Sequence, residues 1–126
     1  MPQNTIDIRF ESTLPSASLR NEVYMIMEVK NCDAAKTYWC ECEINVKPPL
    51  SLSHDGGLDR GKTRIGIITP LSSRTKKVKI FAPPNNQSDS YHLGVIAYMY
   101  DEEGAISERL ERREDVKCVI IDNMIR

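Results

Sequence analysis

The residues whose types and spacing could support chemistry fall into a few groups. Gly56-Gly57-Leu58-Asp59-Arg60-Gly61-Lys62-Thr63 matches the phosphate-loop pattern GxxxxGKT letter for letter. That loop works between a strand and a helix, with the helix N-terminus facing the phosphates. Here Arg64-Ile65-Gly66-Ile67-Ile68-Thr69-Pro70 follows, and β-branched residues, a glycine and a proline so close together argue against a helix. No apolar run ending in an aspartate supplies a metal partner. The stretch reads as a loop.

Cys32, Cys40, Cys42 and Cys118 are the cysteines. None forms a CxxC pair, so zinc has only a weak signal. Cys40 and Cys42 alternate with glutamates in a period-two segment, which puts both on one apolar face. The plain reading is buried, reduced thiols acting as small hydrophobes. The alternative is a zinc site of Cys40, Cys42 and Cys118, with His92 on a neighbouring strand. The same alternation turns His92 to the opposite face.

Nucleophilic catalysis requires a base held against a serine or cysteine. His54 and Asp55 are a pair next to Ser51 and Ser53, in a polar stretch that holds no fixed geometry. Asp101, Glu102 and Glu103 could bind calcium, but they read as a solvated acidic turn. The sequence predicts no enzyme. Two surface features remain. Arg74, Lys76, Lys77 and Lys79 form a basic cluster, with Lys77 and Lys79 outward on one strand, suited to an acidic partner or to guarding a strand edge. Trp39, Tyr98 and Tyr100 fall on outer faces of two strands, where exposed aromatics mark an interface.

The elements that must position these residues are strands. The chain has 126 residues, with 17 basic against 18 acidic side chains. That fits one domain over residues 1–126, and the balanced charge gives no argument for nucleic acid. No apolar run reaches the roughly 20 residues of a membrane helix. No signal peptide is visible, which favours the cytoplasm if the chain is full length.

Apolar alternation predicts strands at 5–10, 22–30, 37–47, 63–69, 76–82, 90–101 and 116–122. Residues 50–62 read as a long flexible loop. The charged run Ser107 to Asp115 reads as a turn or two of helix, or as a long hairpin loop. Seven short strands without a long helix suit an all-β, seven-stranded antiparallel sandwich.

Asp89-Ser90-Tyr91-His92-Leu93-Gly94-Val95 resembles the start of the sixth strand in immunoglobulin-like domains, where a tyrosine opens the strand. Leu93 stands where antibody domains carry their second cysteine. Over Leu71 to Glu111 the layout is similar to the immunoglobulin-like, adhesion-related modules of bacteria and archaea. The resemblance implies an immunoglobulin-like β-sandwich acting as a spacer or binding unit. The expectation is therefore a non-catalytic module that binds another protein, or itself, through Trp39, Tyr98, Tyr100, Lys77 and Lys79. The alternative is a zinc-binding module.

Overall fold

A computed structural model describes residues 4–12, 21–47, 50–53, 57–82 and 89–118. Seven strands run in chain order: β1 (Thr5–Ser12), β2 (Asn21–Lys30), β3 (Tyr38–Val46), β4 (Arg60–Ile68), β5 (Ser73–Ala82), β6 (Asp89–Tyr100) and β7 (Ile106–Cys118). They form two antiparallel sheets, one ordered β1-β2-β5 and the other β4-β3-β6-β7. Among the described residues there is no helix long and apolar enough to cross a membrane.

Period-two alternation places the core. Val23, Met25, Met27 and Val29 of β2 face Tyr38, Cys40, Cys42, Ile44 and Val46 of β3 and Leu93, Val95, Ala97 and Met99 of β6 in one buried cluster. Ile26 is on the opposite face of β2, with Tyr24 and Glu28. It is nevertheless buried, flanked in the sheet by Arg9 and Lys77, whose long stems can cover it.

β5 starts three residues earlier than expected, at Ser73, and three further differences from the sequence expectation bear on the site. The run from Ser107 to Asp115 is neither helix nor loop; it belongs to β7 and pairs with β6 from Glu108 onward, Ser107 being the extra residue of a register shift. Charge on both faces masks the alternation there, because β7 is a sheet edge and, of its described side chains, Leu110 alone packs against the core. The last strand therefore begins well before Val116, and residues 119–122 of that expectation lie outside the described residues.

Within 50–62, Arg60, Gly61 and Lys62 already belong to β4. Ser51 is fully buried and bridges to Phe81 through two backbone bonds of 2.9 and 2.8 Å. The Ser51 hydroxyl also takes the Ser53 and Leu58 amides at 3.0 and 3.3 Å, closing a compact turn.

The third difference is a bulge. Cys40 pairs with Gly66 but Glu41 with Arg64, so Ile65 is the extra residue, turned into the core. Gly66 has φ of 114°, a backbone state that favours glycine.

Candidate interaction face

The register of the four-stranded sheet lays its outward side chains in rows. One row reads Arg60, Asn45, Gly94, Arg113. The next is Lys62, Glu43, Ile96, Glu111, and the third is Arg64, Glu41, Tyr98, Arg109. The last is Ile67, Trp39, Tyr100, Ile106. The first three rows carry charges and the last carries none. Ile67 and Ile106, at the two ends of the last row, are 54% and 56% exposed. Trp39 and Tyr100 between them are half-buried, with the Arg64 guanidinium 5.8 Å from the Trp39 ring centroid.

Loops at this end hold the row in place. Asn31, buried in the β2–β3 connection, gives its amide hydrogens to Lys36, Ile68 and Thr69 carbonyls at 2.8, 3.0 and 3.1 Å. Its oxygen accepts the Asp33 amide at 2.9 Å. One side chain therefore ties β2–β3 to the end of β4, next to Ile67. The Asp33 carboxylate accepts the Ala35 and Lys36 amides at 2.8 and 3.0 Å, which holds its pKa below the ordinary aspartate value.

Beyond Ile68 the chain turns through Leu71, which has φ of 58° and is 70% exposed. A leucine in the left-handed region is strained, and solvent gives this one nothing in return. Its amide is fixed on the Asp33 carbonyl at 3.1 Å. Leu71 thus adds a third exposed apolar side chain at the same end of the sandwich.

The structure does not gather all the expected site residues. Trp39, Tyr98 and Tyr100 share the outer face of the four-stranded sheet, with Trp39 directly opposite Tyr100. Lys77 and Lys79 lie instead on the outer face of the other sheet. There they flank Tyr24, their ammonium groups 4.7 and 5.6 Å from its ring centroid, and Lys77 pairs with Glu11 at 3.9 Å. The five residues therefore form two surfaces on opposite sides of the molecule. Their strands alternate correctly, but sequence alone does not say which sheet each strand joins.

The cysteine set is split as well. Cys40 and Cys42 are fully buried and adjacent on the inner face, and Cys42 is pushed well up by its hydrogen bond with Cys40 and by burial. Cys118 is opposite Asp89, whereas Cys40 and Cys42 are opposite Met99 and Ala97. Along β6 that separation is roughly 26–33 Å, far beyond shared ligation at about 2.3 Å. β3, β6 and β7 do share one sheet, but the antiparallel register carries the cysteines to opposite ends. Among the described residues no three histidine, cysteine or carboxylate groups cluster for a metal.

The phosphate-loop letters from Arg60 to Thr63 lie on β4, in extended backbone that cannot wrap an anion. His54 lies outside the described residues. His92 faces outward and hydrogen-bonds Asp115 across the strands, Nδ1 to Oδ1 at 2.5 Å, both mostly exposed. The pair rims a groove where Gly94 leaves a gap in the outer face, with Asn45, Lys47, Glu111 and Arg113 around it. No serine, threonine or cysteine is among the described lining residues.

No family model matches the chain. No curated protein matches it either. Solved structures are similar in fold. The X-ray structure of the Northeast Structural Genomics Consortium target SoR45 aligns with a TM-score of 0.59 at 9% identity, over 93% of this chain and 86% of that one. The solution structure of a protein described as late embryogenesis abundant aligns with a TM-score of 0.54 at 10% identity, over 96% of this chain and 74% of that one. At such identities the likeness concerns the fold alone.

Proposed function

We propose that this chain is a non-catalytic, immunoglobulin-like interaction module that binds a protein partner, another chain or a second copy, through the outer face of its four-stranded sheet. The carrying observation is the row Ile67, Trp39, Tyr100, Ile106, apolar across all four strands and capped at each end by an isoleucine more than half exposed. Aromatic centres with aliphatic neighbours and a charged rim are the composition of binding hot spots. The strand sets β1-β2-β5 and β3-β6-β7 support the immunoglobulin-like reading, since they match the A-B-E and C-F-G sets of that architecture. β4 joins the β3 side, unlike the constant-type arrangement, and widens the face by one strand.

Site-specific photocrosslinking tests the proposal. A photoreactive residue at position 67 is expected to capture one defined polypeptide, with capture lost in the Trp39→Ala background. The same residue at position 75, on the outer face of the other sheet, is expected to capture none of it. Equal capture from both positions would remove the proposal.

A further inference from the structure

The two open sheets leave several edges, and the edges differ. β5 carries Arg74, Lys76, Lys77 and Lys79, and Ser51 bridges its end. β4 is bent by the bulge at Ile65 and by Gly66. Lysines, bulges and covering segments are the usual means of preventing strand pairing. Among the described residues, Glu108 to Asp115 of β7 carries no lysine and no bulge; Asn4, just before β1, and the Ile6 carbonyl of β1 reach its inward-facing Glu108 and Arg112 at 2.9 and 3.1 Å. β7 is the longest strand, 13 residues, without proline or glycine. Among the described residues its backbone ladder is with β6 alone.

The direction of its free backbone groups follows from one hydrogen bond. The Lys47 amide donates to the His92 carbonyl at 3.0 Å, so even-numbered residues of β6 point their backbone at β3. Odd-numbered β6 residues then point at β7, and they pair with Leu110, Arg112 and Glu114. The odd-numbered residues of β7 therefore present N–H and C=O to the open edge. Arg109, Glu111, Arg113 and Asp115 are these residues, and their side chains lie on the outer face with alternating sign.

We infer that β7 is a self-complementary pairing edge for a second copy of this chain, joined antiparallel about a two-fold axis at Arg112. Arg112 is the midpoint of β7, so this register overlaps the whole strand. It sets Arg109 opposite Asp115 of the other copy and Glu111 opposite Arg113, each pair twice. Every one is an opposite-charge pair, and every one lies at positions whose backbone groups face the edge. Four such pairs exchange about eight backbone hydrogen bonds. A register centred one residue away, on Glu111 or Arg113, sets like charges opposite at the edge-facing positions, whereas the chosen register has its one like-charge pair, Arg112 with Arg112, on the inner face. A half-residue shift sets edge-facing groups against groups already bonded to β6.

Arg112 itself faces inward and is already engaged, with Glu114 at 2.9 Å and with the Ile6 carbonyl at 3.1 Å. Its charge is thereby partly neutralised where the two copies meet. The product is a continuous eight-stranded sheet with a closed, isologous interface. This inference does not depend on the apolar row, which lies toward the Ile106 end of the face.

Sedimentation equilibrium of the full 126-residue chain tests it. The wild type is expected to pass from monomer to dimer with rising concentration, and to weaken with added salt. Arg113→Glu, which creates two like-charge pairs, is expected to weaken the dimer by about tenfold or more. The double swap Glu111→Arg/Arg113→Glu is expected to restore it. Glu111→Pro removes an edge-facing N–H without touching the β6 ladder, so it should be monomeric with an unchanged circular dichroism spectrum. If Glu111→Pro unfolds the chain, the swap pair carries the test. Trp39→Ala should leave the dimer intact. A wild type that stays monomeric would overturn the inference. So would a dimer indifferent to the β7 variants, or one lost through Trp39→Ala.

Discussion

Replacing Asn31 by alanine removes one side chain and loosens the end of the sandwich that presents the apolar row. Asn31 is 1% exposed and makes four hydrogen bonds, three given and one accepted. Of its acceptors, the Ile68 carbonyl is in a buried environment, whereas the Lys36 and Thr69 carbonyls reach solvent in part. A buried polar group left unpaired costs about 1–3 kcal/mol, and each partly exposed bond contributes about 1 kcal/mol or less. The expected loss is about 3 kcal/mol, a large share of the roughly 5–15 kcal/mol that holds a domain together.

Urea unfolding followed by far-ultraviolet circular dichroism measures it, with an unchanged slope and a lowered midpoint. Asn31→Asp has the same shape and no amide hydrogens, and it sets a carboxylate against three carbonyls. It should be at least as damaging as alanine. A loss below about 1 kcal/mol for Asn31→Ala, or an Asp variant near wild type, would refute the staple.

Other outcomes follow from the same structure. Gly66→Ala should lower stability by about 1 kcal/mol or more, because φ of 114° strains any L side chain and the new methyl meets the Arg74 guanidinium at 2.9 Å. Urea titration checks this. Asp33 has its folded pKa depressed below 3.8, so its contribution is present above that value and is lost as pH falls through the folded pKa. Wild type minus Asp33→Ala stability, measured against pH, should shrink only in that acid range. Cys42 has a raised pKa and Cys40 is buried beside it, so both should resist alkylation in the folded chain and react on unfolding. Mass spectrometry after timed alkylation reads both sites.

The strands with one wet and one dry face are legible in the sequence. Glu41 and Glu43 against Cys40 and Cys42 fix β3 completely, and Leu93, Val95, Ala97 and Met99 do the same for β6. β7 is not legible in this way, because an edge strand buries little and its charges fill both faces. Ser51 and Asn31 are missed for another reason. Their value comes from carbonyls and amides distant in sequence, and a lone serine or asparagine in a turn carries no sign of that.

The site shows the same division. That Trp39, Tyr98 and Tyr100 point outward is written in the alternation. That Ile67 and Ile106 complete the row depends on two irregularities, the bulge at Ile65 and the register shift between Met99 and Tyr100. That Lys77 and Lys79 belong to the opposite side depends on β5 pairing with β2, a long-range choice that period two does not encode.

The most direct test of the interaction face uses the sole tryptophan as its probe, since Trp39 lies in the middle of the row. The fluorescence of Trp39 is followed while the polypeptide captured from position 67, or the chain itself, is titrated in. Emission is expected to change on binding, with Ile67→Ser and Ile106→Ser together weakening affinity by about 30-fold, the equivalent of about 2 kcal/mol. Lys77→Ala and Lys79→Ala, on the opposite sheet, should leave affinity within about threefold of wild type. Binding that ignores the isoleucine substitutions and fails with the lysine substitutions would contradict this assignment of the face.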